Sequence, residues 1–247
     1  MDPALDWTSD EEFAIDGISY LCRGVKVGLK STPNRFCIIK PRWQIERYDE
    51  LLRQTTPKNI FELGIWDGGS TAFLAQRAHP SKLVALDVTP EPCLALESFL
   101  DARGLRDAVA TYYGVDQADT HKLADILARE YHGDPLDLVI DDASHLIEET
   151  RESFNFLFPH LSPGGAYVIE DWSGAHTNFQ PGPETPLSVL LFELMLAAAH
   201  RPALIAEIAI RRGLAIVRRG PEAIDPGSFD VSAIYGKVGR DLMRGLP

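Results

Sequence analysis

Short runs of β-branched, aliphatic and aromatic residues recur along the middle of the chain: KNIFELG, KLVALDV, AVATYYG, LDLVIDD and GAYVIED. Such runs fit a pleated, half-buried surface and predict strands. Between them lie STAFLAQRAH, EPCLALESFLDARG, DTHKLADILAREYHG and LIEETRESFNFLFPHLSPGG, whose length and apolar spacing predict helices. Regular alternation of the two predicts an α/β fold, a parallel sheet with helices on both faces. The end of the chain differs. PALIAEIAIRRGLAIVRRG holds two apolar runs around Arg211-Arg212-Gly213, a link short enough for a hairpin, so the last two strands are expected to be antiparallel to each other. Residues 1–56 carry Trp7, Pro33, Pro41 and Trp43 among mixed helical signals. They predict a helical N-terminal extension or lid, which leaves 57–247 as the main domain.

Composition narrows the classes of function. The 247 residues, 45% hydrophobic and 24% charged, suit a globular protein with one large core. A net charge of -12 argues against a nucleic-acid partner, because phosphate binding needs a basic face. Cys22, Cys37 and Cys93 have no paired or metal-knuckle spacing and fit reduced thiols. The acidic start MDPALDWTSDEEF lacks a basic stretch followed by an apolar run, and no segment reaches membrane-spanning length, so the expected compartment is cytoplasmic.

The candidate chemistry collects at strand ends. FELGIWDGGST, the first strand-to-helix junction, departs from a dinucleotide fingerprint because Trp66 stands where the second glycine would admit a pyrophosphate. What remains is Glu62 at the strand end, Gly64 for a tight turn, and Gly68, Gly69 and Ser70 opening the helix. Plain chain reversal explains such a turn as well as a ligand does. Asp87 ends the next strand, placed to accept both hydroxyls of a ribose or simply to cap a helix. Asp116, after the third, could receive an adenine amino group, or merely begin a helix. VIDDASHLIEE then sets Asp141 and Asp142 side by side, three residues before His145. Adjacent carboxylates repel, so this is either a solvated capping loop or a cation or cofactor site.

ELGIWDGGS, the Asp87 strand end, and DDASH followed downstream by VIEDW resemble class I S-adenosylmethionine-dependent O-methyltransferases. The similarity is greatest to the metal-dependent group of macrolide-sugar, rhamnosyl and cephalosporin-hydroxylase-like proteins, and it covers residues 58 to about 219. It implies a Rossmann-like sheet of seven strands in the order 3-2-1-4-5-7-6, mostly parallel with an antiparallel last strand. It also implies S-adenosylmethionine as cofactor, held by Glu62, Gly64, Trp66, Gly68, Ser70, Asp87 and Asp116, with Asp141 facing the amino group of its methionine moiety. The implied metal ligands are Asp142, Glu170 and Asp171. Right-handed crossover between successive strands brings their ends to one sheet edge, with neighbouring strands about 4.8 Å apart. Carboxylates without nearby thiols favour a hard cation, Mg²⁺ first and Mn²⁺ or Ca²⁺ behind it. The family's DxxSH pattern implies His145 as general base; a fourth metal ligand or a capping histidine are the other roles open to it.

The expected reaction is methylation of a hydroxyl on a sugar or glycosylated metabolite, with methylated mannose or rhamnose saccharides among the acceptors. A catechol-type methyltransferase and a non-catalytic cofactor-binding accessory protein are the alternatives. Partners are a small-molecule or oligosaccharide acceptor and, by expectation, further copies of the chain. Trp172 and His176 are candidates to line the acceptor pocket or to pack. NFQPGPETP, residues 178–186, reads as a closing loop or a passive connection. Arg211, Arg212, Arg218 and Arg219 read as a solvated hairpin face.

Overall fold

The computed structural model describes residues 5–22, 30–176 and 185–244, with the side chain of residue 238 left out. Within it the chain divides into two compact units, Met1–Val115 and Asp116–Pro247. That division falls inside the segment expected as one domain.

The first unit begins with strands, which corrects the expected helical extension. β1 (Asp6–Trp7), β2 (Glu12–Ile15), β3 (Ile18–Cys22) and β4 (Arg35–Ile38) form a sheet in sequence order. β1, β2 and β3 run antiparallel, and β4 joins β3 in parallel. The physical signal is local. Asp16 and Gly17 take φ of 47° and 78°, the two-residue turn that Asp-Gly favours between strands. ISYLC alternates buried and half-buried, as a one-sided strand must. Only α1 (Arg42–Thr55) bears out the helical part of the expectation.

Nor is this region a detached cover. Phe13 stacks on Tyr20 at 4.9 Å between ring centroids and meets Phe73 edge-on at 5.8 Å, while Phe36 meets Phe99 edge-on at 5.3 Å. Phe73 and Phe99 belong to α2 (Gly69–Ala78) and α3 (Leu94–Arg103), so an aromatic core fastens the small sheet to the helices of the same unit. Those helices follow β5 (Asn59–Leu63) and β6 (Lys82–Asp87), and β7 (Val109–Tyr113) completes the set. The three strands pair in parallel in the order β7-β6-β5.

The second unit opens with α4 (Thr120–Tyr131), β8 (Leu136–Asp141), α5 (Ile147–Leu157) and β9 (Leu161–Glu170). α6 (Ser188–His200) comes next, then β10 (Ile205–Arg211) and β11 (Leu214–Arg219). β8 and β9 are parallel, whereas β11 runs antiparallel to both β9 and β10, giving the order β8-β9-β11-β10. Counted from β5, the two sets read 3-2-1 and 4-5-7-6, the two ends of the expected order, with the last strand antiparallel as expected. α6 carried no helix expectation. Its sequence SVLLFELMLAAAH is apolar on nearly every side, so it lacks the two-faced spacing that marks a surface helix. Of the four hairpin arginines, Arg211 and Arg212 are exposed; Arg218 is half-buried against Glu207 at 3.2 Å, and Arg219 is buried. The solvated face is therefore limited to the hairpin tip.

Candidate active site

In the first unit, the β5–α2 turn is fixed mainly by main-chain groups and steric contact. Gly64 lies at φ 101°, a conformation that costs glycine little, and its N–H donates to Leu86 O at 2.8 Å. Gly68 and Gly69 answer a packing demand: a Cβ on Gly68 would come within 2.8 Å of Leu96 Cβ, and one on Gly69 within 2.2 Å of Cys37 O. Thus β4 approaches the start of α2 so closely that no side chain fits there. Asp87 braces the turn from the end of β6. Its Oδ2 accepts the N–H groups of Ile65 (3.0 Å) and Trp66 (2.8 Å), and Oδ1 accepts that of Thr89 at 2.8 Å. A carboxylate oxygen can accept two bonds, so Oδ1 retains capacity for a ligand hydroxyl.

The remaining residues of this turn separate into two groups. Glu62 is 0% exposed and accepts from Thr71 Oγ1 at 2.6 Å through one carboxylate oxygen, joining β5 to α2. Trp66 is half exposed in a left-handed backbone conformation, φ 46°, with Lys30 Nζ 5.7 Å from its ring centroid. Ser70 is half-buried. Asp67, absent from the sequence-based set, is buried; its carboxylate accepts the Ser31 N–H at 2.5 Å and lies 3.6 Å from Lys30 Nζ.

In the second unit, the end of β8 divides its two aspartates. Asp141 is 2% exposed, and its carboxylate receives Tyr167 Oη (2.8 Å), Ser153 Oγ (2.9 Å) and Gln117 Nε2 (3.1 Å to Oδ1, 3.3 Å to Oδ2). Burial pushes this carboxyl up to about 6, against the opposing pull of Tyr167, Ser153, the His145 field and Gln117. The carboxylate expected to face a ligand amino group thus takes part in an internal hydrogen-bond network at the buried end of β8. Asp116 is exposed and caps its own turn, Oδ1 accepting Ala118 N–H at 2.9 Å. Its neighbour Gln117 is the residue that points inward.

Asp142, His145 and Asp171 come together at the surface. A carboxylate oxygen from each aspartate and a ring nitrogen of the histidine lie within 4.8 Å of one another. His145 Nε2 is 3.9 Å from Asp142 Oδ1 and 3.9 Å from Asp171 Oδ2. Such a group suits a divalent cation, with ligand atoms from both carboxylates and room for water. Glu170, expected as a third carboxylate, is 2% exposed and outside this group. Glu170 is the last residue of β9, whereas Asp171 lies just beyond the strand at φ 49°. His145 also sits in the left-handed region, φ 57°. Conformations of this kind cost side-chain-bearing residues free energy and concentrate at functional sites.

The hairpin tip borders the same place. Asp171 N–H donates to Gly213 O at 2.7 Å, and Trp172 Nε1 donates to Arg211 O at 2.9 Å. Trp172 thus ties β9's end to the tip, while His176 shares a 2.7 Å hydrogen bond with Ser188 Oγ. Of the 178–186 stretch, all but the last two residues lie outside the described residues.

Among known proteins, residues 61–172 match a family described as "Methyltransferase domain". The chain is 32% identical over 178 residues to demethylmacrocin O-methyltransferase of Streptomyces fradiae, covering 65% of this chain and 42% of that protein. It is 35% identical over 150 residues to mycinamicin VI 2''-O-methyltransferase of Micromonospora griseorubida, covering 57% and 33%. The chain thus spans less than half the length of these curated relatives. A solved structure of MycE methyltransferase from the mycinamycin biosynthetic pathway, in complex with Mg, SAH and mycinamycin VI, aligns with a TM-score of 0.57 at 26% identity, covering 75% of this chain and 50% of that one. Residues 61–172 thus match the methyltransferase domain family, and the chain is similar to macrolide-sugar O-methyltransferases over that region.

Proposed function

We propose that this chain is an S-adenosylmethionine- and Mg²⁺-dependent O-methyltransferase that methylates a sugar hydroxyl of a glycosylated metabolite. The observation that carries the proposal is the convergence of Asp142, His145 and Asp171 within 4.8 Å. The printed names of the relatives support a glycoside acceptor over a catechol: one acts on demethylmacrocin and another on the 2'' oxygen of mycinamicin VI.

Each residue has a distinct task. Asp142 and Asp171 hold the cation, and their opposite number, His145, takes the proton that the acceptor hydroxyl loses as it becomes an ether. Only a neutral imidazole can do so. Asp87 Oδ1 accepts from the ribose, while its Oδ2 keeps the turn shaped, and the exposed Trp66 ring offers an apolar face to the cofactor. When bound, the cation acidifies the hydroxyl and the cofactor supplies the methyl group. The rest of the rate enhancement comes from orientation and electrostatics.

Incubating the protein with S-adenosylmethionine, Mg²⁺ and a panel of macrolide glycosides, free deoxysugars and catechols tests the reading by mass spectrometry. A mass gain of one methylene unit on a glycoside, abolished by EDTA and restored by Mg²⁺, is the expected result. Methylation of catechols alone moves the acceptor class, and full activity in chelator refutes the role of the acidic group.

A further inference from the structure

We propose that Gln117 is a positioning residue that sets the conformation of the Asp142–His145 loop, and thereby the geometry of the cation site. This rests on the proposed metal-dependent reading. Gln117 is 4% exposed, and its amide is used on both sides. Nε2 donates to Asp141 (3.1 and 3.3 Å) and to Ser153 Oγ at 3.1 Å, while Oε1 accepts the Ser144 N–H at 2.8 Å. Its orientation is fixed by chemistry: a carboxylate needs the NH₂ end and a backbone N–H needs the oxygen.

The Ser144 bond is the one that reaches the site. Ser144 immediately precedes His145, and Ser144 Oγ in turn accepts the Leu146 N–H at 3.2 Å. His145 is therefore bracketed by two hydrogen-bonded neighbours, one anchored to Gln117 and through it to the end of β8. That anchoring helps to hold His145 at φ 57°, where an unsupported histidine would relax toward an ordinary backbone conformation. Asp142 lies between the two anchor points, Asp141 below and Ser144 above, so the same amide sets its direction. Gln117 touches none of the three cluster residues through its side-chain bonds; it acts through the loop.

The test compares Gln117→Met, which keeps the volume and removes every amide bond, with Ser153→Ala, which damages the same buried network without touching the Ser144 N–H. Mg²⁺ affinity is read by calorimetric titration and stability by thermal unfolding. Gln117→Met is expected to weaken Mg²⁺ binding roughly 10–100-fold, as loss of a residue supporting a metal ligand typically does. Ser153→Ala is expected to lower Tm while leaving Mg²⁺ affinity within about threefold, well short of that supporting-residue range. Equal weakening in both variants, or lowered Tm alone in Gln117→Met, overturns the positioning role and leaves Gln117 a plain core amide. Failure of the unsubstituted protein to bind Mg²⁺ overturns the metal reading and this inference with it. Should Gln117→Met not fold, amide hydrogen exchange on the unsubstituted protein decides: the Ser144 amide should exchange far more slowly than solvent-facing amides of the same loop, and equally fast exchange refutes the anchor.

Discussion

The glycine turn of the first unit and the acidic loop of the second are both strand-to-helix junctions, yet they are held in different ways. The β5–α2 turn is shaped by main-chain groups and by contact: Asp87 gathers two of its N–H groups, and Cys37 O and Leu96 Cβ leave no room for side chains at Gly69 and Gly68. The β8–α5 loop is shaped by side chains, with Asp141, Gln117, Ser153 and Tyr167 buried in one network beneath it. The surface of that loop then carries Asp142 and, in a left-handed backbone conformation, His145. A turn defined largely by close packing should fail on added volume. A loop defined by a buried polar network should fail on loss of those bonds.

The largest expected effect falls on the loop. His145→Ala should lower turnover about 10²- to 10⁴-fold, the usual range for a positioned base, with Mg²⁺ affinity retained. If Mg²⁺ binding weakens instead and excess Mg²⁺ rescues turnover, His145 belongs to the metal shell.

Next in size is a pair of substitutions that separates the regions. Asp142→Asn should weaken Mg²⁺ binding by more than the roughly 10–100-fold that loss of a supporting partner costs, and spare cofactor binding. Asp87→Ala should do the reverse, weakening S-adenosylmethionine about tenfold, or about 1.4 kcal/mol, with Mg²⁺ affinity largely kept. Parallel losses of both ligands in either variant would break the distinction between the two junctions.

Steric definition of the first turn makes a smaller prediction. Gly69→Ala puts a methyl group within 2.2 Å of Cys37 O and 2.8 Å of Ile38 Cγ1, and the former is backbone that cannot move alone. Overpacking of this kind costs about 1–3 kcal/mol, measurable by denaturant unfolding. No change would mean that β4 and α2 are further apart than described.

The smallest effect concerns acid. In the first unit, burial raises the Glu97 carboxyl, but hydrogen bonds from Arg106, Tyr113 and Thr111 outweigh it and leave the group below its ordinary value of 4.5. A carboxyl lowered on folding stabilises the protein above pH 4.5, and that contribution disappears as pH falls through the folded-state value. Thermal unfolding between neutral pH and pH 3 should accordingly fall less steeply in Glu97→Gln than in the unsubstituted protein.

Much of this molecule was legible from spacing alone. Local apolar runs determined β5 to β9 and their intervening helices, and the short Arg211-Arg212-Gly213 link determined an antiparallel end, because each of these depends on neighbours in sequence. Asp-Gly at 16–17 was an equally local signal for the N-terminal hairpin, obscured by the scattered tryptophans and prolines around it. What the sequence could not determine was direction. Asp141 and Asp142 are chemically identical, yet Asp141, the last residue of β8, is buried in a network, while Asp142, just beyond the strand, lies beside His145. Asp116 and Gln117 are neighbours, and the inward place went to the amide. Glu170 and Asp171 looked like one pair of ligands, until the end of the strand sent only Asp171 to the cluster. Such choices depend on which face of a strand is covered and on what approaches from hundreds of atoms away, and those are decided only when the chain is folded.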